Sequence, residues 1–136
     1  MREILFRGKR TDCEAWVEGD LLHYESGEMA ICKGFSKYGY EATEIIGRYK
    51  VLPETVGQYT GLTDKNGVRI FEGDIIQSLK SSVTGLVQWF PEHSAFMVWC
   101  KSANEVGFLY ECADITKVIG NIHDNPELLE GGEDNG

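Results

Sequence analysis

Residues 18–22 read EGDLL, and residues 72–76 read EGDII. A second block, TEIIG at residues 43–47, returns in the same order as TKVIG at residues 116–120. In both copies a Pro-Glu pair begins six residues after the glycine of this second block. Repetition of several blocks in one order indicates an internal duplication, which sets the architecture before any single element is assigned.

The duplication predicts two modules and a tail. We expect a first module over residues 1–57 and a second over residues 58–130. The repeated glycines are 28 residues apart in the first copy and 47 apart in the second, which leaves room for an added hairpin in the second module. Residues 131–136 read GGEDNG, a composition that predicts a disordered acidic tail.

Strand signals dominate both modules. Short apolar runs such as residues 68–71 and 95–100 alternate with glycine-rich turns, and long helical periodicity is missing. Asn66-Gly67 predicts a hairpin with a type I′ turn, which requires positive φ at both residues. Pro126 predicts one short C-terminal helix, because proline fits the first helical position. The fold class is therefore predicted to be all-β, a sandwich or a barrel.

The two Glu-Gly-Asp triplets allow two interpretations. In the first, Gly19 and Gly73 provide positive φ for equivalent turns, and Asp20 and Asp74 bind nearby backbone amides. In the second, the two aspartates form a catalytic pair, one acting as acid and the other as base. Because two aliphatic residues follow each triplet, as expected for a turn entering a strand, we favour the structural interpretation.

Charge disfavours nucleic acid as a partner. The chain has 13 basic and 22 acidic residues, a net charge of -9, whereas a protein that neutralises phosphates needs a basic surface. A local patch at Arg7, Lys9 and Arg10 is the exception.

The sequence contains no secretory signal and no apolar stretch long enough to span a membrane, so we expect a cytoplasmic protein without membrane contact.

Motifs for cofactors, metals and catalysis are missing. The four cysteines form no Cys-x-x-Cys pair, and the three histidines have no metal-binding spacing. No P-loop, dinucleotide-binding or nucleophile-elbow motif occurs. We therefore expect no cofactor and no metal, and the sequence favours a non-enzymatic protein, although an active site without a motif stays open.

An aromatic strand in the second module is the most suggestive feature. Residues 95–100 read AFMVWC, and because strand side chains alternate, both faces of this strand are apolar. Such a strand is either covered inside the fold, between the two modules, or covered by a partner. For the second case, the candidate self-association residues are Trp89, Phe96, Met97 and Trp99.

Two longer motifs resemble the YopX family of phage and prophage proteins. They are residues 59–76, YTGLTDKNGVRIFEGDII, and residues 118–130, VIGNIHDNPELLE; residues 4–10 resemble the opening of the same family. The resemblance implies small SH3-like barrel modules, encoded by a phage or prophage and located in the cytoplasm of the bacterial host. It implies no catalytic residue, because the matching positions are turn glycines, strand aliphatics and a helix cap.

Taken with the composition, the resemblance favours an accessory protein that acts through protein–protein contacts. We expect self-association as a homo-oligomer and an unidentified host or phage protein as partner. The alternative is a small enzyme or a nucleic-acid-associated protein that uses carboxylates in a groove between the two modules.

Overall fold

The computed structural model describes residues 3–35 and 45–129 of the chain. The chain divides into two compact units, Met1–Tyr59 and Thr60–Gly136. Their secondary structure consists mostly of antiparallel strands, which confirms the all-β prediction. The predicted acidic tail lies outside the described residues, as does the start of the repeated block at residues 43–47.

Unit 1 is an antiparallel sheet in the order β4-β3-β2-β1-β5. Strands β1 to β4 follow one another as a meander, and β5 returns to pair with β1. A 3-10 turn at Pro53–Thr55 leads from β4 into β5. The strands are β1 (Phe6–Lys9), β2 (Trp16–His23), β3 (Met29–Phe35), β4 (Ile45–Val51) and β5 (Gly57–Thr63).

The core of unit 1 lies on one face of this sheet. Val17, Ile31 and Val51 are buried there, and Leu21, which stands opposite Ile31 across the β2–β3 pair, packs against them. Val17 and Leu21 are four residues apart on β2 and so point to the same side of the sheet. Alternation along β2 therefore places these core side chains, whereas β3 is buried on its other face as well, at Ala30 and Cys32.

Unit 2 begins with the second half of β5, which pairs with β6 (Arg69–Phe71) as a hairpin. A second antiparallel sheet follows in the order β10-β9-β8-β7-β11. A short helix α1 (Leu109–Cys112) and a 3-10 turn (Ala113–Ile115) connect β10 to β11. The strands are β7 (Asp74–Ser78), β8 (Thr84–Phe90), β9 (Ala95–Cys100), β10 (Glu105–Phe108) and β11 (Thr116–Asn121).

The two units share one topology. In each, four strands form a meander, a helical segment follows the fourth strand, and the fifth strand pairs with the first. We expected an added hairpin between Gly73 and Gly120. That interval instead holds strands β7 to β11, which correspond to the five strands of unit 1, so the added hairpin lies elsewhere. The element that unit 2 has in addition is the β5–β6 hairpin. Closure of either sheet into an SH3-like barrel stays a prediction.

The two Glu-Gly-Asp triplets occupy different places, which corrects the predicted turn at Gly19 and Asp20. Both residues lie inside β2, where Gly19 stands opposite Phe6. A Cβ atom on Gly19 would collide with the backbone carbonyl of Cys32, so glycine is needed there for close strand approach. Gly73 lies between β6 and β7 with φ of +94°, and there glycine is needed for the turn.

The Asn66-Gly67 hairpin has a different turn from the predicted type I′. Gly67 has φ of +79°, whereas Asn66 is not among the described residues with positive φ. The N–H of Gly67 donates to the carbonyl of Asp64 at 3.0 Å, and the N–H of Asp64 donates to the carbonyl of Val68 at 2.9 Å. This pattern is typical of a three-residue loop that ends on a left-handed glycine.

Both faces of the unit 2 sheet are buried near β7. Ile76 belongs to the main core, which comprises Ile70, Ile76, Val87, Val98, Leu109 and Ala113. The neighbouring Ile75 points to the opposite face and packs with Leu86 and Leu129. Leu129 lies in a helical turn over residues 127–129, at the position of the predicted C-terminal helix.

Candidate interaction surface

Trp89 and Phe96, two of the four predicted interface residues, contact each other. They stand opposite one another on β8 and β9, with ring centroids 5.0 Å apart in an edge-to-face arrangement. Phe96 packs against the main core of unit 2, whereas Trp89 is 44% exposed. The exposed indole is therefore held by a ring that is itself anchored in the core.

The other two predicted residues, Met97 and Trp99, point to the opposite face of β9. Met97 is only 3% exposed and Trp99 is half-buried. Met97 is covered within the chain, so it is not available as an interface anchor as predicted. The sequence left open whether this strand is covered inside the fold or by a partner. Met97 and the buried Val98 are covered inside the fold.

Four further rings form a continuous line in unit 2. The centroid of His93 lies 6.4 Å from that of Phe90 and 5.8 Å from that of Phe108. Phe108 in turn lies 5.3 Å from Tyr110. We call these four residues, Phe90, His93, Phe108 and Tyr110, the aromatic row.

Three connections bring the aromatic row together. Phe90 ends β8, and the 3-10 turn that follows carries His93. Ser94, with φ of +48°, reverses the chain into β9. Phe108 ends β10 opposite Met97, and Tyr110 lies in the first turn of α1. Each ring thus stands at the end of a strand or in the short helical turn that follows it.

The aromatic row is accessible and has acidic neighbours. Tyr110 is 63% exposed, and Val106, two residues before Phe108 on the same face of β10, is also exposed. Glu92 and Glu111 are exposed next to His93 and Tyr110 in the chain. The surface therefore combines exposed apolar area with carboxylates at its margin.

Asp20 and Asp74, the candidate catalytic pair, lie in different units and have different surroundings. Asp20 is exposed within β2. Asp74 is buried, and its carboxylate accepts a hydrogen bond from the backbone N–H of Phe71 at 2.7 Å. Asp74 thus stabilises the turn between β6 and β7.

The basic residues near the N-terminus contact aromatic rings of unit 1. The guanidinium of Arg7 lies 4.8 Å from the centroid of Trp16. Arg10 lies 4.5 Å from the centroid of Tyr49 and forms two hydrogen bonds, at 2.9 and 2.6 Å, to the carboxylate of Asp12. These cations thus already interact with partners in the chain.

Two further features concern metal binding and membrane-spanning helices in the described residues. No group of three or more His, Cys, Asp or Glu side chains in residues 3–35 and 45–129 is placed to hold a metal ion. Within the same ranges, no helix has both the length and the apolar character needed to cross a membrane.

These features define an all-β protein with two antiparallel sheets of one topology and an exposed aromatic surface on the second. The chain belongs to the YopX family, whose model, described as YopX protein, matches residues 5–130. Its structure is similar to the crystal structure of protein EF1440 from Enterococcus faecalis, with a TM-score of 0.59 and 28% sequence identity, over 95% of this chain and 99% of that chain. None of the curated proteins is significantly similar to this chain.

Proposed function

We propose that this protein is a non-enzymatic accessory protein that acts through protein–protein contacts made by the aromatic row and Trp89. The observation that carries the proposal is the combination of exposure and mutual contact within the aromatic row. Trp89 is a separate exposed ring, which contacts Phe96. Scattered exposed apolar residues are normal on a protein surface, whereas a contiguous group marks an interaction site. Aromatic residues are enriched in interface cores and among the residues that contribute most to binding.

A second copy of the chain is the occupant that this surface fits. In a twofold dimer the same patch serves both subunits, and aromatic rings can pack against rings of the same kind. Because contacts with neighbouring rings already restrict these side chains, little rotamer entropy is lost on association. The margin of the surface is acidic, so two copies repel each other at low ionic strength.

We also propose a cellular setting. The YopX resemblance implies a protein of a phage or prophage, and we propose that it acts in the cytoplasm of the bacterial host. There the same surface is free to bind a host or phage protein in place of a second copy.

Variants at the exposed rings test the surface. Trp89→Ala and Tyr110→Ala remove exposed side chains, so we expect a smaller mass in light scattering and an unchanged β-type circular dichroism spectrum. Tyr24→Ala is the matched control, because Tyr24 is an exposed aromatic residue in unit 1. If Tyr110→Ala leaves the mass unchanged, or Tyr24→Ala lowers it as much, the aromatic row is not the interface.

A further inference from the structure

A pocket opens into the core of unit 2. Its volume is about 250 Å³. Two of its lining residues, Ile76 and Val98, are members of the main core, and Cys100 and Cys112 pack against that core. The pocket is therefore a gap in the packing that can be reached from outside.

Two turns frame the mouth of the pocket. Ser81 and Ala103, one from each turn, line it. Next to them in the chain, Ser82 and Asn104 have φ of +63° and +52°. Non-glycine residues in this conformation carry a cost and are found at ligand clamps more often than elsewhere. Asparagine tolerates this conformation, so the turn at Ser82 is the one held in unfavourable backbone geometry at the mouth.

Several polar groups of the lining already have partners. The hydroxyl of Thr116 donates to the carbonyl of Ala113 at 2.9 Å. The hydroxyl oxygen of Ser78 accepts from the N–H groups of Lys80 and Ser81 at 3.2 and 3.3 Å. These groups close the turns, and the charged residue of the lining is Glu105, which is exposed.

The thiols of Cys100 and Cys112 form an apolar part of the pocket wall. Burial raises the pKa of the Cys100 thiol, and the nearby Glu105 carboxylate raises it further. Burial likewise raises the pKa of the Cys112 thiol, with a smaller contribution from Cys100. Both thiols are therefore neutral at physiological pH, and a neutral thiol behaves as a small hydrophobic group.

We propose that this pocket binds a small amine whose apolar body fills the gap and whose ammonium group lies beside Glu105. An apolar cavity of about 150 Å³ binds benzene, so this larger pocket has room for a ring with a short chain, or for an aliphatic chain of similar size. The lining includes no residue of the aromatic row, although the thiol of Cys112 donates to the backbone carbonyl of Phe108 at 3.8 Å.

Three probes of equal length separate the apolar contribution from the charge: hexylamine, hexanol and hexanoate. We expect hexylamine to raise the melting temperature most, hexanol less and hexanoate least. The second readout is alkylation of individual cysteines followed by mass spectrometry. Hexylamine should slow alkylation of Cys100 and Cys112 several-fold and leave the exposed Cys13 of unit 1 unchanged.

Variants at the mouth complete the test. Ala103→Trp places a large side chain over the pocket and should abolish protection of both thiols, whereas Ser102→Trp, in the same turn but outside the lining, should not. Glu105→Gln should remove the preference for hexylamine over hexanol. Equal effects of the three probes would overturn the assignment of a cation. Failure of every probe to protect Cys100 and Cys112 in the unmutated protein would overturn the pocket as a binding site.

Discussion

The carboxylate of Asp64 accepts a hydrogen bond from the backbone N–H of Val118 at 2.9 Å, across 54 residues of sequence. Its other oxygen accepts from the N–H groups of Asn66 and Val68, at 2.8 and 2.9 Å. Asp64 is only 5% exposed. One buried side chain thus holds the β5–β6 turn and fastens it to β11, the last strand of the second sheet.

Asp64→Ala should therefore destabilise the protein strongly. The change leaves three backbone N–H groups without their acceptor, and each buried unsatisfied donor costs about 1–3 kcal/mol. Because water can reach part of the turn, we expect a loss of about 2–4 kcal/mol in the free energy of unfolding, measured by urea denaturation. Asp114→Ala, at an exposed aspartate of the same unit, is the control and should stay within about 0.5 kcal/mol of the original. Equal losses in the two variants would contradict this role for Asp64.

Gly73 and Gly19 should respond differently to asparagine. Gly73→Val should cost about 1–3 kcal/mol, because a β-branched residue is strained at φ of +94°. Gly73→Asn should cost less, since asparagine tolerates the left-handed region. At Gly19 the obstacle is the carbonyl of Cys32, so asparagine should give no relief over alanine. Chemical denaturation of the four variants tests this, and a milder effect of asparagine at both sites would refute it.

The same pair of glycines shows what the sequence could and could not predict. The all-β fold was predictable because its signals are local. These signals are the alternation of side chains along each strand, the short strand lengths and the glycine-rich turns. The repeated letters around Gly19 and Gly73 were aligned as equivalent turns, but identical residues serve strand contact in one place and a turn in the other. The shared feature of the two units is the order of strand pairing, which depends on contacts between distant residues.

The surface that we propose was predictable from the sequence only in part. The aromatic content pointed to unit 2, and Trp89 and Phe96 became candidates because they lie on or beside one apolar strand. The place of His93 in the aromatic row could not be predicted, since its contact with Phe108 arises only when β10 is placed next to β9. No local pattern encodes that neighbour.

Met97→Asp should unfold the chain and not merely dissociate it. Met97 is buried, and a charge placed there has no partner in the described structure, at a cost of at least about 3 kcal/mol. Circular dichroism should therefore show loss of structure or a much lower melting temperature. Trp89→Ala, at an exposed ring on the neighbouring strand, is the matched comparison and should keep the β-type circular dichroism spectrum of the folded protein. A folded, monomeric Met97→Asp protein would show that Met97 faces a partner.

The alkylation rate of the two thiols in unit 2 should rise with pH. Burial raises the pKa of Cys100 and Cys112 above the ordinary value of 9.0, so their alkylation rates should keep rising with pH beyond that value. A raised pKa in the folded state means that the folded protein holds these protons more tightly than the unfolded chain. Their contribution to stability is thus complete below pH 9 and is lost as pH rises through the folded-state pKa. Cys100→Ala and Cys112→Ala should weaken this loss of stability at alkaline pH. An unchanged loss in both variants would contradict the raised pKa values of these thiols.

The mass of the unmutated protein in solution, measured by sedimentation equilibrium over a range of concentrations and ionic strengths, tests the central proposal most directly. We predict a self-associating species at tens of micromolar, with association that strengthens as salt is added, because salt screens repulsion between the acidic margins of two copies. Association that weakens with salt would instead indicate that the acidic margin of one copy meets basic residues of the other copy. A monomer at every concentration and ionic strength would contradict self-association through the aromatic row.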